Sequence, residues 1–221
     1  IVAELNSYYD VIIVGGGPGG SVCAIELSAS GLSVLVLEKA VFPRDKICGD
    51  ALSADVINQL QKLKVNLLPA LVKMQEAMPS YGVRFYAPSG EALDVPFHDK
   101  TSEAAPGYII TRKDFDAFLA AEVQKCARVE VLEDMEVEHI HAHKEGFDVK
   151  CREQLFHCRF LVGADGAHSI VKRHLMPEKL DRKHHCAGIR VYYENIAAMH
   201  SDQFIELHFY KELIPGYFWI F

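Results

Sequence analysis

The sequence lacks the features that would assign the protein to several common classes. Its 221 residues contain no apolar run near the ~18 residues that a transmembrane helix requires. They also contain no run of lysines or arginines, and the formal net charge is -7. Because binding to a phosphate backbone requires a basic face, we expect no nucleic-acid partner. No internal repeat or low-complexity tract is present, so repeat architectures are excluded.

The cysteines and histidines also lack the spacing of a metal or redox site. The six cysteines include no C-x-x-C pair and form no tight framework, so we expect reduced thiols in a cytoplasmic protein. His139, His141 and His143 alternate, which places three imidazoles on one face of a strand. No spacing identifies a fourth ligand, so a solvated strand face is favoured and no metal is expected. The cysteines are Cys23, Cys48, Cys126, Cys151, Cys158 and Cys186.

The most informative segment begins with a buried-strand pattern at residues 10–14, which runs into a glycine-rich turn. Gly15, Gly17 and Gly20 form a G-x-G-x-x-G motif, the fingerprint of dinucleotide binding. The first glycine permits the tight turn, the second allows a pyrophosphate to approach the backbone, and the third allows close packing of helix on strand. Pro18 suits the first turn of that helix, whose N-terminus attracts an anion.

An acid follows the second strand at the position where such folds bind ribose. The strand at residues 33–37 ends at Glu38, whose carboxylate can accept the ribose hydroxyls of an adenosine. A phosphate on the 2′ oxygen would be repelled there. The first nucleotide is therefore expected to be FAD or NAD rather than NADP.

The remaining pattern predicts an α/β fold with a discontinuous nucleotide domain. A hairpin around the turn 87–90 interrupts the βαβ rhythm and predicts the start of a mostly antiparallel region. A strand at 155–162 then returns the chain to the nucleotide domain, and further strands are predicted at 187–193 and 204–210. We expect a FAD-binding domain at 1–78 and 106–178 and substrate-domain segments at 79–105 and 179–221. The terminal residues suggest that the chain is truncated.

Three strings resemble one family. The segment Pro43-Arg-Asp-Lys-Ile-Cys-Gly-Asp50, the segment Gly163-Ala-Asp-Gly166 and the segment Tyr217-Phe-Trp-Ile-Phe221 occur in the order found in the geranylgeranyl reductase family of FAD-dependent oxidoreductases. The wider group has the fold of p-hydroxybenzoate hydroxylase. The resemblance implies a Rossmann-like FAD-binding domain with an inserted, mostly antiparallel β substrate domain. It also implies reduction of isolated double bonds in prenyl lipids.

The resemblance also implies roles for individual residues. The glycine turn and Glu38 would hold the ADP half of FAD, and Arg112 would reach the ribityl or phosphate region. Val137 would contact the adenine through its backbone. An apolar channel for the isoprenoid would be lined by Tyr217, Trp219 and Phe221. The implied FAD-contacting residues are Gly15, Gly17, Pro18, Gly20, Glu38, Lys39, Arg44, Cys48, Gly49, Arg112, Val137, Asp165 and Gly166.

Saturation of an unactivated alkene requires a hydride at one carbon and a proton at the other. The resemblance implies FAD as the source of the hydride, with NADPH or NADH as a candidate electron donor. Cys48 is the candidate acid, because a thiol is mostly protonated at neutral pH. An equal alternative is that Cys48 is only a small packing residue beside Gly49. The charges at Arg44 and Lys46 also fit a solvated turn, and Asp50 fits a helix cap.

The aromatic string has an alternative interpretation as an ordinary core strand. Two other functions also stay open: an FAD-dependent hydroxylase or halogenase, and a nucleotide-binding protein without catalysis. Halogenases usually read Gly-Glu-Ser where this chain has Cys48-Gly49-Asp50. An isoprenoid substrate would place the protein in the cytoplasm with peripheral contact to the membrane.

Overall fold

The computed structural model describes residues 7–97, 104–176, 183, 186–197 and 199–221. Their contacts divide the chain into two compact units. Unit 1 comprises the described residues of Ile1–Lys46 and Lys113–Ala187, and unit 2 comprises those of Ile47–Arg112 and Gly188–Phe221. The predicted α/β fold class is confirmed, and each of the two units is built from two separate segments of the sequence.

Unit 1 contains a six-stranded sheet in the order β8-β2-β1-β11-β10-β9. The strands β8, β2, β1 and β11 are parallel, whereas β10 and β9 continue the sheet in antiparallel pairing. The strands are β1 Tyr8–Val14, β2 Val34–Leu37, β8 Val129–Leu132, β9 His139–His143, β10 Gly146–Cys151 and β11 Gln154–Gly163.

The centre of this sheet is apolar on both faces. The last residues of β1 and all of β2 are buried, as expected for parallel strands that are covered on two sides. The first and last helices of unit 1 pack on this sheet, and Ala24 of the first helix is fully buried. The helices are α1 Pro18–Ser28, α4 Arg112–Gln124, which begins at the end of unit 2, and α5 Ile170–Leu175.

Unit 2 contains two smaller sheets. A three-stranded antiparallel sheet has the order β3-β7-β4, and a four-stranded sheet has the order β13-β12-β5-β6. The predicted hairpin is confirmed as β5 and β6, and only β12 and β5 pair in parallel in the four-stranded sheet. The elements are β3 Ala51–Leu52, α2 Ala54–Lys62, α3 Leu68–Leu71, β4 Met78–Ser80, β5 Gly82–Tyr86, β6 Ala92–Pro96, β7 Gly107–Ile109, β12 Phe204–His208 and β13 Phe218–Ile220.

Two expectations differ from this arrangement. The strand predicted at 187–193 is wrong: these residues form no strand, and Ile189 is 87% exposed. The predicted domain boundaries also differ from the two units at 47–78 and 106–112, because β3, β4 and β7 join these segments into one sheet of unit 2. They differ as well at the described residues of 179–187, which belong to unit 1. As an assignment of functional domains, those boundaries stay a prediction.

Candidate functional site

The carboxyl ends of three parallel strands meet at one edge of the large sheet. Val14 at the end of β1 is in register with Leu37 of β2 on one side and with Gly163 of β11 on the other. The loops that follow these strands therefore lie side by side. This is the edge at which open α/β sheets bind their ligands.

Close backbone contacts explain two of the glycines in the turn after β1. Gly15 has a φ of +98°, and a Cβ there would lie 2.5 Å from the carbonyl oxygen of Ala164 in the loop after β11. A Cβ at Gly20 would overlap the carbonyl oxygen of Gly15. The glycine turn and the Gly163-Ala-Asp-Gly166 loop are thus packed together, which the sequence alone did not indicate.

The other side of the glycine turn is open. Among the described residues, a Cβ at Gly17 would meet only the Arg44 guanidinium, at 3.6 Å, and one at Gly19 would have no atom within 4 Å. The N-terminus of α1 has no side-chain cap and no acidic residue in its first turn. The N–H groups of that turn have no partner within the helix, so they are available to an anion.

The Glu38 carboxylate is buried and points back into the glycine turn. It is 4% exposed and accepts hydrogen bonds from the Gly16 N–H at 2.9 Å and the Ala40 N–H at 3.1 Å. The Arg44 guanidinium donates a third, longer bond of 3.3 Å. A carboxylate offers about four acceptor positions, so capacity for a ribose hydroxyl remains.

Arg44 links Glu38 to a second acid, Asp116, which no motif in the sequence marks. Its Nη1 lies 2.5 Å from an oxygen of Asp116, which is fully buried in α4. The guanidinium also lies over the Phe42 ring, 4.8 Å from its centroid. Burial alone would lower the pKa of Arg44, but the hydrogen bonds to Glu38 and Asp116 raise it above its ordinary value. Arg44 therefore remains a cation at the glycine turn.

The loop after β11 contains a buried carboxylate, that of Asp165. Asp165 Oδ2 accepts hydrogen bonds from the Ile170 and Val171 N–H groups, which orders the start of α5. Its Oδ1 is buried and has no hydrogen-bond partner among the described residues. At Gly166, with a φ of +81°, a Cβ would lie 2.7 Å from the Lys46 ammonium.

These features fit the diphosphate and ribose of FAD. The glycine turn leaves space beside Gly17 that a Cβ would fill, and the N-terminus of α1 supplies N–H donors to that space. Asp165 Oδ1 can accept a hydrogen bond from the ligand. Two other predicted contact residues give weaker support. Lys39 is exposed beyond Glu38, and Val137 is buried in the core before β9, so both stay predictions.

In unit 2, the cysteine loop and the aromatic string are packed against each other. Cys48 and Gly49 are exposed, and a Cβ at Gly49 would lie 3.7 Å from the Phe221 ring. The rings of Tyr217, Trp219 and Phe221 follow one another, with centroids 6.1 and 6.3 Å apart. The structure thus brings together the two strings that carry most of the family resemblance.

The aromatic string belongs to the apolar face of the four-stranded sheet. Trp219 is in register with Leu207, which is itself in register with Phe85. The opposite face is more polar and carries Glu206, 3.0 Å from the His208 imidazole. The residues of the apolar face are Val83, Phe85, Leu93, Val95, Ile205, Leu207 and Trp219.

Asp50 does not cap the helix that follows it. Ser53 caps α2 by accepting from the Val56 N–H, whereas the buried Asp50 accepts from the Arg112 N–H at 3.1 Å. Its carboxylate also binds Arg190 at 3.3 Å and the Tyr192 hydroxyl at 2.9 Å. The cap interpretation of Asp50 is therefore wrong, because its partners come from distant segments.

The alternating histidines lie on an exposed strand face. His143 and His157 both bind one oxygen of Asp148, at 3.2 and 2.7 Å. Hydrogen bonding to His157 lowers the pKa of Asp148. Within the part of the chain that the structure describes, no three side chains of His, Cys, Asp or Glu are grouped as metal ligands.

Comparison with known proteins identifies the family of this chain. The FAD binding domain family matches residues 8–214, nearly the whole chain. The chain belongs to this family. The resemblance to the geranylgeranyl reductase family is also confirmed. Curated relatives that match nearly the whole chain are named digeranylgeranylglycerophospholipid reductase.

Two relatives illustrate the similarity. The digeranylgeranylglycerophospholipid reductase of Methanocaldococcus jannaschii is 27% identical over 99% of this chain and 54% of its own length. The menaquinone reductase of Mycolicibacterium smegmatis is 28% identical over 98% of this chain and 53% of its own length. The chain thus spans about half the length of these relatives.

Solved structures of flavoproteins share the fold. PqsL of Pseudomonas aeruginosa, in complex with 2-aminobenzoylacetate, has a TM-score of 0.67 at 23% identity, covering 79% of this chain and 47% of PqsL. The halogenase PltM, in complex with phloroglucinol and FAD, has a TM-score of 0.62 at 22% identity, covering 75% of this chain and 36% of PltM. Of the helices that the structure describes, none has the length and hydropathy of a membrane-spanning segment.

Proposed function

We propose that the protein is an FAD-dependent reductase of isolated carbon–carbon double bonds in a prenyl or related isoprenoid lipid. The packing of Gly49 against Phe221 is the observation on which this proposal rests. It places Cys48 in a loop that borders the aromatic string and the apolar face of the four-stranded sheet. The relatives whose names specify reduction of a geranylgeranyl lipid or a menaquinone support the same substrate class.

The glycine turn, Glu38 and Arg44 would hold the ADP half of the cofactor, and Asp165 would accept a hydrogen bond from it. When bound and reduced, FAD supplies a hydride, and NADPH or NADH is the proposed source of its electrons. The aromatic side chains of unit 2 would bind the apolar chain and exclude water from it. Cys48 would donate a proton from its thiol to the second carbon and recover it from water.

A substrate assay of the full-length protein tests this proposal. The purified protein, reduced under anaerobic conditions, is mixed with a geranylgeranyl lipid and the product is read by mass spectrometry. The proposal predicts a gain of one hydrogen pair for each saturated bond. A lipid of unchanged mass would contradict it.

A monooxygenase or halogenase is the second candidate, because the solved structures with this fold include a halogenase. PltM is 22% identical to this chain and therefore supports the fold alone. Oxygen-dependent addition of oxygen or halide to an aromatic substrate, without saturation of an alkene, would favour this candidate. The Cys48-Gly49-Asp50 string favours the reductase.

A further inference from the structure

We propose that Asp116 is a positioning residue for the cofactor. Its buried carboxylate holds the Arg44 guanidinium beside Gly17, where the guanidinium would meet the negative charge of the FAD diphosphate. Arg44 then bonds only weakly to Glu38, which keeps acceptor capacity for the ribose. This inference concerns the capture of FAD. It therefore does not depend on which substrate the protein reduces.

The geometry shows that Arg44 is anchored on Asp116 rather than on Glu38. Its bond to Asp116 is 2.5 Å long, whereas its bond to Glu38 is 3.3 Å. The Asp116 side chain is fully buried, while 15% of the Arg44 side chain is exposed. The Nη1 edge of the guanidinium is thus fixed by the buried Asp116, whereas the Nη2 edge is held less tightly and faces the glycine turn.

The burial of Asp116 explains why the pair persists. Burial disfavours an ionised carboxylate, and the ion pair with the Arg44 guanidinium offsets part of that cost. Asp116 lies in the thirteen-residue helix α4, which gives it a rigid support. The stacking of Arg44 over Phe42 restricts the guanidinium further.

The Arg44 Nη2 group lies beside the space that we assign to the FAD diphosphate. The Arg44 Nη2 lies 3.6 Å from where a Cβ of Gly17 would be, beside the uncapped N-terminus of α1. Two groups that attract anions therefore face the same space. If Asp116 were neutral, Glu38 would become the main ionic partner of Arg44, and the guanidinium would compete with the ribose for that carboxylate.

The test measures the dissociation constant of FAD in apoprotein prepared from the full-length protein, by titration of flavin fluorescence. Asp116→Asn is expected to weaken FAD binding by about tenfold to a hundredfold, the range of one charge-assisted hydrogen bond. Arg44→Gln is expected to weaken it as well. The double variant is expected to bind FAD no more weakly than Arg44→Gln alone, because Asp116 acts through Arg44.

Two further measurements separate positioning from a general role in folding. Asp116→Asn should weaken ADP binding more than adenosine binding, since the phosphates supply the charge that Arg44 meets. Glu122→Gln is the matched control: it removes the same charge from α4, but its carboxylate pairs with the exposed Lys125, so FAD binding should not change. If the Asn variant fails to fold, Asp116→Glu keeps the charge and should bind FAD better than Arg44→Gln does.

Two results would overturn the proposal. One is FAD binding by a folded Asp116→Asn protein that equals that of the wild type. The other is an additive loss in the double variant, with ADP and adenosine weakened equally, since Asp116 would then act without Arg44.

Discussion

Gly17→Ala should weaken FAD binding with little effect on stability, whereas Gly20→Ala should destabilise the fold. At Gly17 the backbone has a φ of -70° and a ψ of -175°, which any residue can adopt, and the nearest atom to an added Cβ is 3.6 Å away. The gain of about 0.4–1 kcal/mol from a less flexible unfolded chain is offset by a similar loss at the helix N-cap. The melting temperature should therefore change by no more than about 2–4 °C.

The effect of Gly17→Ala on the ligand should be much larger. The methyl group would occupy the space beside the α1 N-terminus and displace the diphosphate from the N–H donors. Loss of two charge-assisted hydrogen bonds costs at least about 3 kcal/mol, so FAD should bind about 100-fold more weakly or worse. Titration of flavin fluorescence with the apoprotein measures this change.

Gly20→Ala is the comparison variant. Its methyl group would overlap the Gly15 carbonyl oxygen and approach the Ile13 side chain, an overpacking that costs about 1–3 kcal/mol or more. A chain of this size should then melt about 2–12 °C lower. A Gly17→Ala protein that keeps full affinity for FAD, or one that unfolds as readily as Gly20→Ala, would refute the assignment of phosphate to the open side of the turn.

The remaining predictions concern unit 2 and the buried thiols. Cys48→Ala should slow alkene reduction in a turnover assay but leave flavin absorbance intact; an unchanged rate would make Cys48 a packing residue. Asp50→Asn should lower the free energy of unfolding by about 1–3 kcal/mol in a denaturant titration, because it weakens the charge-assisted hydrogen bonds that Asp50 accepts from Arg190 and Tyr192; a change below about 1 kcal/mol would contradict this. Burial raises the pKa of Cys151 and Cys158 to about 11. The folded state thus disfavours both thiolates, so stability should fall as pH rises from about 9 to 11, and alkylation at pH 8 should spare both thiols.

The cofactor half of the site could be predicted because its signals are local. A strand, a glycine turn, a helix and an acid after the next strand follow one another within the first forty residues, and the spacing alone predicts that Glu38 faces the turn. The structure places the Glu38 carboxylate there, hydrogen-bonded to the Gly16 N–H. Periodicity also predicted the β5–β6 hairpin, since turn chemistry determines such pairs.

The contributions of Asp116 and Asp50 could not be predicted because their partners are distant in the sequence. Asp116 lies 72 residues from Arg44, and nothing in the pattern of α4 marks an acid on its buried side. The sequence predicts Asp50 as a helix cap, because an acid just before a helix usually is one. Its actual partners lie 62 residues away at Arg112 and 140 residues away at Arg190.

The prediction of a strand at 187–193 is wrong for a related reason. Apolar residues alternate there, but two of the intervening side chains bind Asp50, and no strand among the described residues pairs with this segment. Alternation predicts a strand only where hydrogen-bonding partners exist for its backbone.

The most direct test of the account is anaerobic turnover of a geranylgeranyl lipid by the full-length protein carrying reduced FAD. We expect product masses that rise by one hydrogen pair per double bond, with reoxidation of the flavin in equal amount. Lipid of unchanged mass beside a flavin that is reoxidised only when oxygen is admitted would contradict the proposed reductase.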